Sequence, residues 1–337
     1  MPLLIGRSPA LDIIAEARER HWVLPAFNSE NLTTTEAVLA AAVDHGAAIG
    51  CPGLPVFVAV THHYSSRPQT THYTSSRDAV TGLAVFFAEL HALCAPGSPY
   101  AGLRVLAHLD HGQWDADREL LAGPLSGFSS IMFDASSLPF AENIRLTAEY
   151  VSRRGNDFLI EGACDEIPES GDQAGPELTT PERAVEFNSA TGVDLIVPNV
   201  GTEHRSGVSE CHYSAPTVRA ISSRIGPKLC LHGTSSLPQE KHAHLAADGI
   251  VKANIWTALE REAGSAVFAW MLEHADEIVG ADRVQHLQRI GLLGAAAPSH
   301  GGLSLSGFAA SARNEIAFEA TKACALRHLR GWMPARA

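Results

Sequence analysis

This chain lacks a membrane span, a cysteine frame and a surplus of positive charge. No run of 18 apolar residues occurs in its 337 residues, so no segment has the length of a membrane-crossing helix. The opening MPLLIGRSPALDII is too short an apolar stretch, and turns acidic too soon, to be a secretory signal; a cytoplasmic protein with no membrane partner is expected. The six cysteines (Cys51, Cys94, Cys164, Cys211, Cys230 and Cys324) are widely separated and form no Cys-x-x-Cys pair. They are expected to be reduced thiols, several of them in the core. A net charge of −12 argues against a nucleic-acid partner and leaves the fold open. No Gly-x-Gly-x-x-Gly follows the first strand-like run, which leaves a doubly wound dinucleotide-binding sheet as the weaker alternative.

What is present is a chain 45% hydrophobic, long enough for one large core. Its centre is Val105-Leu106-Ala107-His108-Leu109-Asp110-His111-Gly112, an apolar run that ends in a carboxylate beside an imidazole and then breaks on glycine. Neighbouring side chains on a strand point to opposite faces, so Asp110 and His111 diverge unless the backbone turns; Gly112 is expected to make that turn cheap.

Strand-like runs are predicted at Trp22 to Phe27, Gly46 to Gly50, the Asp110 strand, Ser130 to Phe133, Phe158 to Ile160, Leu195 to Val200, Lys228 to Leu231 and Ile250 to Asn254. Between them fall segments of helical pattern: Ser8 to Arg20 before the first strand, then Asn31 to His45, Asp78 to Cys94, Phe140 to Arg153, Thr180 to Thr191, Ala215 to Ile225 and Pro238 to Ala247. Eight apolar strands alternating with helices over about 250 residues predict an α/β fold, a closed (β/α)8 TIM barrel in one domain spanning 1–337. The barrel is expected over about 10–275, with C-terminal helices after it. One long polar loop, THHYSSRPQTTHYTSSR from Thr61, carries His62, His63 and His72 and reads as a substrate-covering loop or subunit contact rather than a metal site.

Active sites of such barrels lie at the C-terminal ends of the strands. The strand ends here are Asn28, Asp110-His111, Asp134, Glu161, Asn199 to His204, His232 and Asn254. His111, His204 and His232, from three strands, predict a divalent metal of zinc type with an open position, able to polarise a carbonyl or stabilise an enediolate.

At this point the sequence resembles the class II, metal-dependent fructose-bisphosphate and tagatose-bisphosphate aldolases. The matching blocks are Leu24-Pro25-Ala26-Phe27-Asn28, Leu109-Asp110-His111-Gly112, Ser129 to Ser136 with Pro139-Phe140 and Glu142-Asn143, Thr179 to Asp194, Gly201-Thr202-Glu203-His204, Leu231-His232-Gly233 and Gly249 to Ile255. The resemblance implies that His111, His204 and His232 hold the metal and that Asp110 is the acid/base at the aldehyde-derived hydroxyl. It implies a sugar-phosphate or related carbonyl substrate met by Asn28, Asp134, Gly201, Gly233, Ser235, Asn254 and Thr257. The donor-side base would stand on the loop after the fifth strand, where Glu166, Glu169 and Asp172 are candidates, Glu169 and Asp172 foremost. A homodimer or homotetramer is implied as well, and the C-terminal stripe Phe308, Ala312, Ile316, Ala320, Ala323 and Leu326 is expected to be buried against the barrel or another subunit.

The departures bear on substrate. Ala163 stands where the family has a second, metal-binding Glu; His232-Gly233-Thr234-Ser235-Ser236 replaces a glycine-rich phosphate nest; Trp256 replaces a small carboxylate; Arg205 follows His204 in place of glycine. An aldolase-type lyase with a substrate other than fructose 1,6-bisphosphate is expected, Trp256 stacking on an apolar or ring-bearing substrate. An epimerase or isomerase on the same platform is the alternative, and a non-catalytic relative a weaker one.

Overall fold

A computed structural model describes residues 3–168, 177–203 and 213–335. Eight parallel strands close into a barrel: β1 (Leu24–Asn28), β2 (Pro55–Val60), β3 (Arg104–Gln113), β4 (Phe128–Asp134), β5 (Leu159–Ala163), β6 (Leu195–Val197), β7 (Leu229–Leu231) and β8 (Ile250–Ile255). Each pairs with the next, and β8 returns to β1 through Leu24↔Lys252 and Ala26↔Asn254. The two faces of these strands meet the barrel interior and the surrounding helices, so β2 and β8 are buried at every residue; this is why they read as continuous apolar runs. The fold is therefore the expected (β/α)8 barrel.

One strand was misplaced. Gly46-Ala47-Ala48 belongs to a helix (Leu32–Ala48), and the second strand is Pro55–Val60. The alanine run through this segment favours helix, whereas Val56, Phe57, Val58 and Val60 carry the β-branched and aromatic character of a strand. Gly46 is needed because the chain folds back on the helix end: a Cβ there would come within 2.5 Å of the Cys51 carbonyl oxygen. Asn31 and Asp78 are N-caps rather than helical residues, accepting from the backbone N–H of Thr34 and Thr81. The segment expected as one helix over Pro238 to Ala247 is two short turns, Gln239–His242 and Leu245–Asp248.

Beyond the barrel, helix Ala310–Trp332 packs on Leu32–Ala48 and on Thr257–Glu273. Its buried face is Thr321, Cys324, Ala325, His328, Leu329 and Trp332, not the stripe the sequence suggested. Of that stripe Ala323 and Phe308 are exposed and the remainder half-buried. The chain end is strapped to the barrel where β1 starts, Trp22 Nε1 donating to the Pro334 carbonyl at 2.9 Å. The five described cysteines are free thiols, and among the described residues no helix is long and apolar enough to cross a membrane.

A polar column stands inside the barrel beneath its C-terminal end. Lys252 of β8 and Glu161 of β5, both fully buried, form an ion pair at 2.9 Å, with His108 of β3 at 3.7 Å from the same carboxylate. Burial and the Lys252 charge push the His108 pKa down to about 4, so this imidazole is neutral and the carboxylate answers to Lys252. Removing one partner of such a pair strands the other: Lys252→Met is expected to cost about 3–5 kcal/mol in urea unfolding. The double variant Lys252→Met with Glu161→Leu should recover much of that loss. A second group reports on pH. Glu260, in the first turn of the helix after β8, has its pKa raised from 4.5 to about 7 by burial and by Glu30. The folded chain thus holds a proton that the unfolded chain releases, and stability falls as pH rises through that interval. Glu260→Gln is expected to melt higher than the parent at pH 8 and to converge with it near pH 5, as followed by circular dichroism.

Candidate active site

The site is assembled by an irregularity in β3. Leu109 pairs with Ile131 and Gly112 with Phe133, so Asp110 and His111 together stand opposite the single residue Met132 of β4. His111 takes φ 48°, the left-handed region that β-branched and most other side chains avoid. The turn required to bring both side chains to one side therefore sits at His111 itself. Gly112 serves packing: a Cβ there would lie 3.0 Å from the Met132 carbonyl oxygen.

Asp110 is buried and held from three directions. Its Oδ1 accepts from Asn254 Nδ2 at 2.7 Å, and its Oδ2 accepts from Asn28 Nδ2 at 2.9 Å and from Arg67 Nη2 at 2.8 Å. Burial alone would raise its pKa, but His111, His232 and Arg67 outweigh burial and hold the carboxyl well below the ordinary range. Asn254 links this carboxylate to the column below, its Oδ1 accepting from Lys252 Nζ at 2.5 Å.

His111 donates through Nδ1 to Asp134 Oδ2 at 2.7 Å, which fixes the ring and directs Nε2 away from that carboxylate. Tyr64 stacks on the imidazole with centroids 4.3 Å apart, and the His232 ring meets it edge-on at 5.0 Å. Ligand atoms of Asp110, His111 and His232 all lie within 4.8 Å of one another, and the donor set suits a zinc-type cation. His204 lies outside the described residues. Where a second β5 glutamate would stand, Ala163 is buried in a small apolar cluster with Met132, Val197 and Cys230, against which Ile167 packs.

The pocket above these groups is lined by Asn28, Asp110, His232, Gly233, Thr234, Ser235, Asn254, Trp256 and Thr257 and, from the polar loop after β2, by Tyr64, Ser66 and Arg67, which the sequence did not single out. Gly233 has φ 66°, and a Cβ on it would strike the backbone of Glu203 at 2.8 Å. Thr234 donates from Oγ1 to the Asn254 carbonyl at 2.7 Å, tying the loop after β7 to β8. One face of the Trp256 ring, expected to stack on a ligand, is covered by the Arg67 guanidinium, 4.5 Å from its centroid.

Other candidates are elsewhere. Asp134 stands behind His111 and Gly201 takes its N–H to Asn199 Oδ1 at 3.0 Å; neither lines the pocket. Glu169 and Asp172 lie outside the described residues, and Glu166 is exposed. In the polar loop after β2, His72 pairs with Arg77, while His62 and His63 gather with Asp117 on the far side of the loop. His63 N and Nδ1 both meet Asp117 Oδ1, at 3.0 and 3.1 Å, which anchors the base of the loop to the segment following β3. Arg67 was missed because its partners, Asp110 and Trp256, are remote in sequence; the only signal was the polar loop itself.

The structure is similar to the YdjI aldolase of Escherichia coli K12, with a TM-score of 0.63, 20% identity and coverage of 97% of this chain and 96% of that one. It is also similar to the fructose-bisphosphate aldolase of Campylobacter jejuni, with a TM-score of 0.70, 16% identity and coverage of 98% and 96%. At such identities these likenesses speak for the fold. In sequence, the family described as Fructose-bisphosphate aldolase class-II matches residues 8–292. With the match extending over most of its length, the chain belongs to the class II fructose-bisphosphate aldolase family.

Proposed function

We propose that this protein is a divalent-metal-dependent aldolase-type lyase, making and breaking a carbon–carbon bond next to a hydroxycarbonyl group, with a substrate other than fructose 1,6-bisphosphate. The observation that carries it is the β3 irregularity, which brings Asp110 and His111 into one cluster with His232. His111 and His232, joined by His204, would hold the cation, with zinc the best match to an imidazole set; Asp134 positions His111. The cation would supply Lewis acidity to the carbonyl oxygen on which negative charge develops.

The chain's own groups do the rest. Asp110, oriented by Asn28 and Asn254, exchanges a proton with the hydroxyl oxygen of the acceptor aldehyde as the bond forms or breaks. Gly233, Ser235 and Thr257, which line the pocket, contact the substrate from the β7 and β8 ends. The loop bearing Glu169 and Asp172 supplies the base that takes the donor-carbon proton. The altered substrate is supported by Trp256 and Arg67, which fill space at the end of β8, and by the tethered Thr234. We also infer a homo-oligomer: Phe268, 65% exposed, and Phe308, 46% exposed, lie on the C-terminal helices together with the half-buried stripe.

His111→Ala and His232→Ala should each lower bound zinc or cobalt at least tenfold by elemental analysis while keeping the parent far-ultraviolet spectrum. Asp110→Asn should retain the metal and lose about 10²–10⁴-fold in turnover. With fructose and tagatose bisphosphates, kcat/KM is expected below about 10⁴ M⁻¹s⁻¹, and a value above that would refute the altered substrate. Light scattering should give at least twice the 35.8 kDa of one chain, and Phe268→Glu should reduce it.

A further inference from the structure

Arg67 has no counterpart among the groups the proposed chemistry uses, and its setting is unusual. Its side chain is only 10% exposed, and while Nη2 donates to Asp110, Nε is buried with no acceptor. A guanidinium carries five N–H donors in a planar fork and cannot shed its charge, so a buried one with unused donors is costly unless a ligand supplies acceptors. Two more donors on the walls of the same pocket, Trp256 Nε1 and Ser235 Oγ, are likewise buried without partners. Three unsatisfied donors around one cavity describe a place for an acceptor-rich group.

The fork is also held in place. Its plane rests on the Trp256 ring. Its backbone is closed into a tight loop in which the Arg67 carbonyl accepts from Thr61 Oγ1 and the Arg67 N–H reaches the Tyr64 carbonyl at 2.8 Å. The next turn is pinned by buried Gln69, whose Oε1 accepts from Thr61 N at 2.9 Å and from Asn28 Nδ2 at 3.2 Å. A side chain with so many rotatable bonds is ordered here before any ligand arrives, which removes much of the entropic cost of binding.

The local charge selects among acceptors. Among the described residues Arg67 is the only lysine or arginine lining the pocket, opposite Asp110. A single guanidinium already facing one carboxylate suits a planar monoanion better than a dianion. The group already lying on Arg67 is a carboxylate, that of Asp110, at 2.8 Å.

We propose that Arg67 is the specificity residue of this pocket and receives a carboxylate of the substrate, so that the enzyme's natural substrate is a carboxylate-bearing hydroxycarbonyl compound rather than a sugar bisphosphate. The proposal rests on the lyase function above for what happens to that substrate, but the recognition step is separable from it. Arg67 keeps Nη2 on Asp110 and turns its Nε edge to the ligand carboxylate, with Trp256 Nε1 and Ser235 Oγ completing the shell.

The experiment uses metal-free full-length protein, kept so by a chelator, and three probes of matched backbone: glycerate, glycerol 3-phosphate and glycerol, with dissociation constants from calorimetry. Glycerate is expected to bind at least tenfold more tightly than glycerol, and Arg67→Gln to abolish that difference. Arg67→Lys, which keeps the charge and loses the fork, should recover only part of it, and Trp256→Phe, which keeps a ring but not the N–H, should weaken glycerate less than Arg67→Gln does. Melting temperatures check that each variant is folded. If Arg67 were only a counter-ion of Asp110, Arg67→Gln would leave glycerate binding unchanged or tighter, and that result overturns the proposal. Glycerol 3-phosphate binding more tightly than glycerate through Arg67 would overturn the carboxylate assignment. Because no turnover or metal is involved, a failure of the lyase function would leave these constants standing, and a failure here would leave the lyase function intact.

Discussion

Everything at the catalytic end depends on two successive residues of β3 facing the same way. A regular strand would send Asp110 into the barrel and His111 outward into the helical layer. The extra residue in β3, taken up by the left-handed backbone at His111, cancels that alternation. A non-glycine residue in this conformation costs free energy, of order 1–3 kcal/mol when the neighbourhood must over-determine it, and here Asp134 and Tyr64 grip the imidazole from two sides.

Below that irregularity the barrel carries its polar groups as a connected series instead of as isolated burials. Glu161 neutralises Lys252, Lys252 donates to Asn254, and Asn254 donates to Asp110. Charge pairing at the base of the series and hydrogen bonds above it link the members, so a fully buried lysine and glutamate can be tolerated inside the barrel. The series also sets the orientation of the Asn254 amide: its oxygen must face the ammonium and its nitrogen the carboxylate.

Much of this was legible in the sequence. The strand ends Asn28, Asp110, His111, His232 and Asn254 were found because barrel topology gathers strand ends, whatever the details of packing. Helix boundaries were close because caps are local: Asn31 and Asp78 each act within three residues. The second strand was lost where two local preferences competed within ten residues, alanine-rich helix against a short β-branched run. The turn was assigned to Gly112, since nothing in the sequence marks a histidine for the left-handed region. Trp256 was read as a platform for a ligand because its occupant, Arg67, arrives from the opposite side of the chain and no local pattern ties the two together.

The loop from Thr61 to Thr70 closes largely on itself, through Thr61, Gln69 and the Thr70 N–H on the Thr61 carbonyl at 3.1 Å. It touches the chemical centre through few side chains, Arg67 and Tyr64 chief among them. Such a segment behaves as a cassette. Apart from Gln69 on Asn28 and Arg67 on Asp110, its sequence can drift without touching the strand ends, so within this architecture what a pocket accepts and what it does to the molecule can evolve on separate schedules.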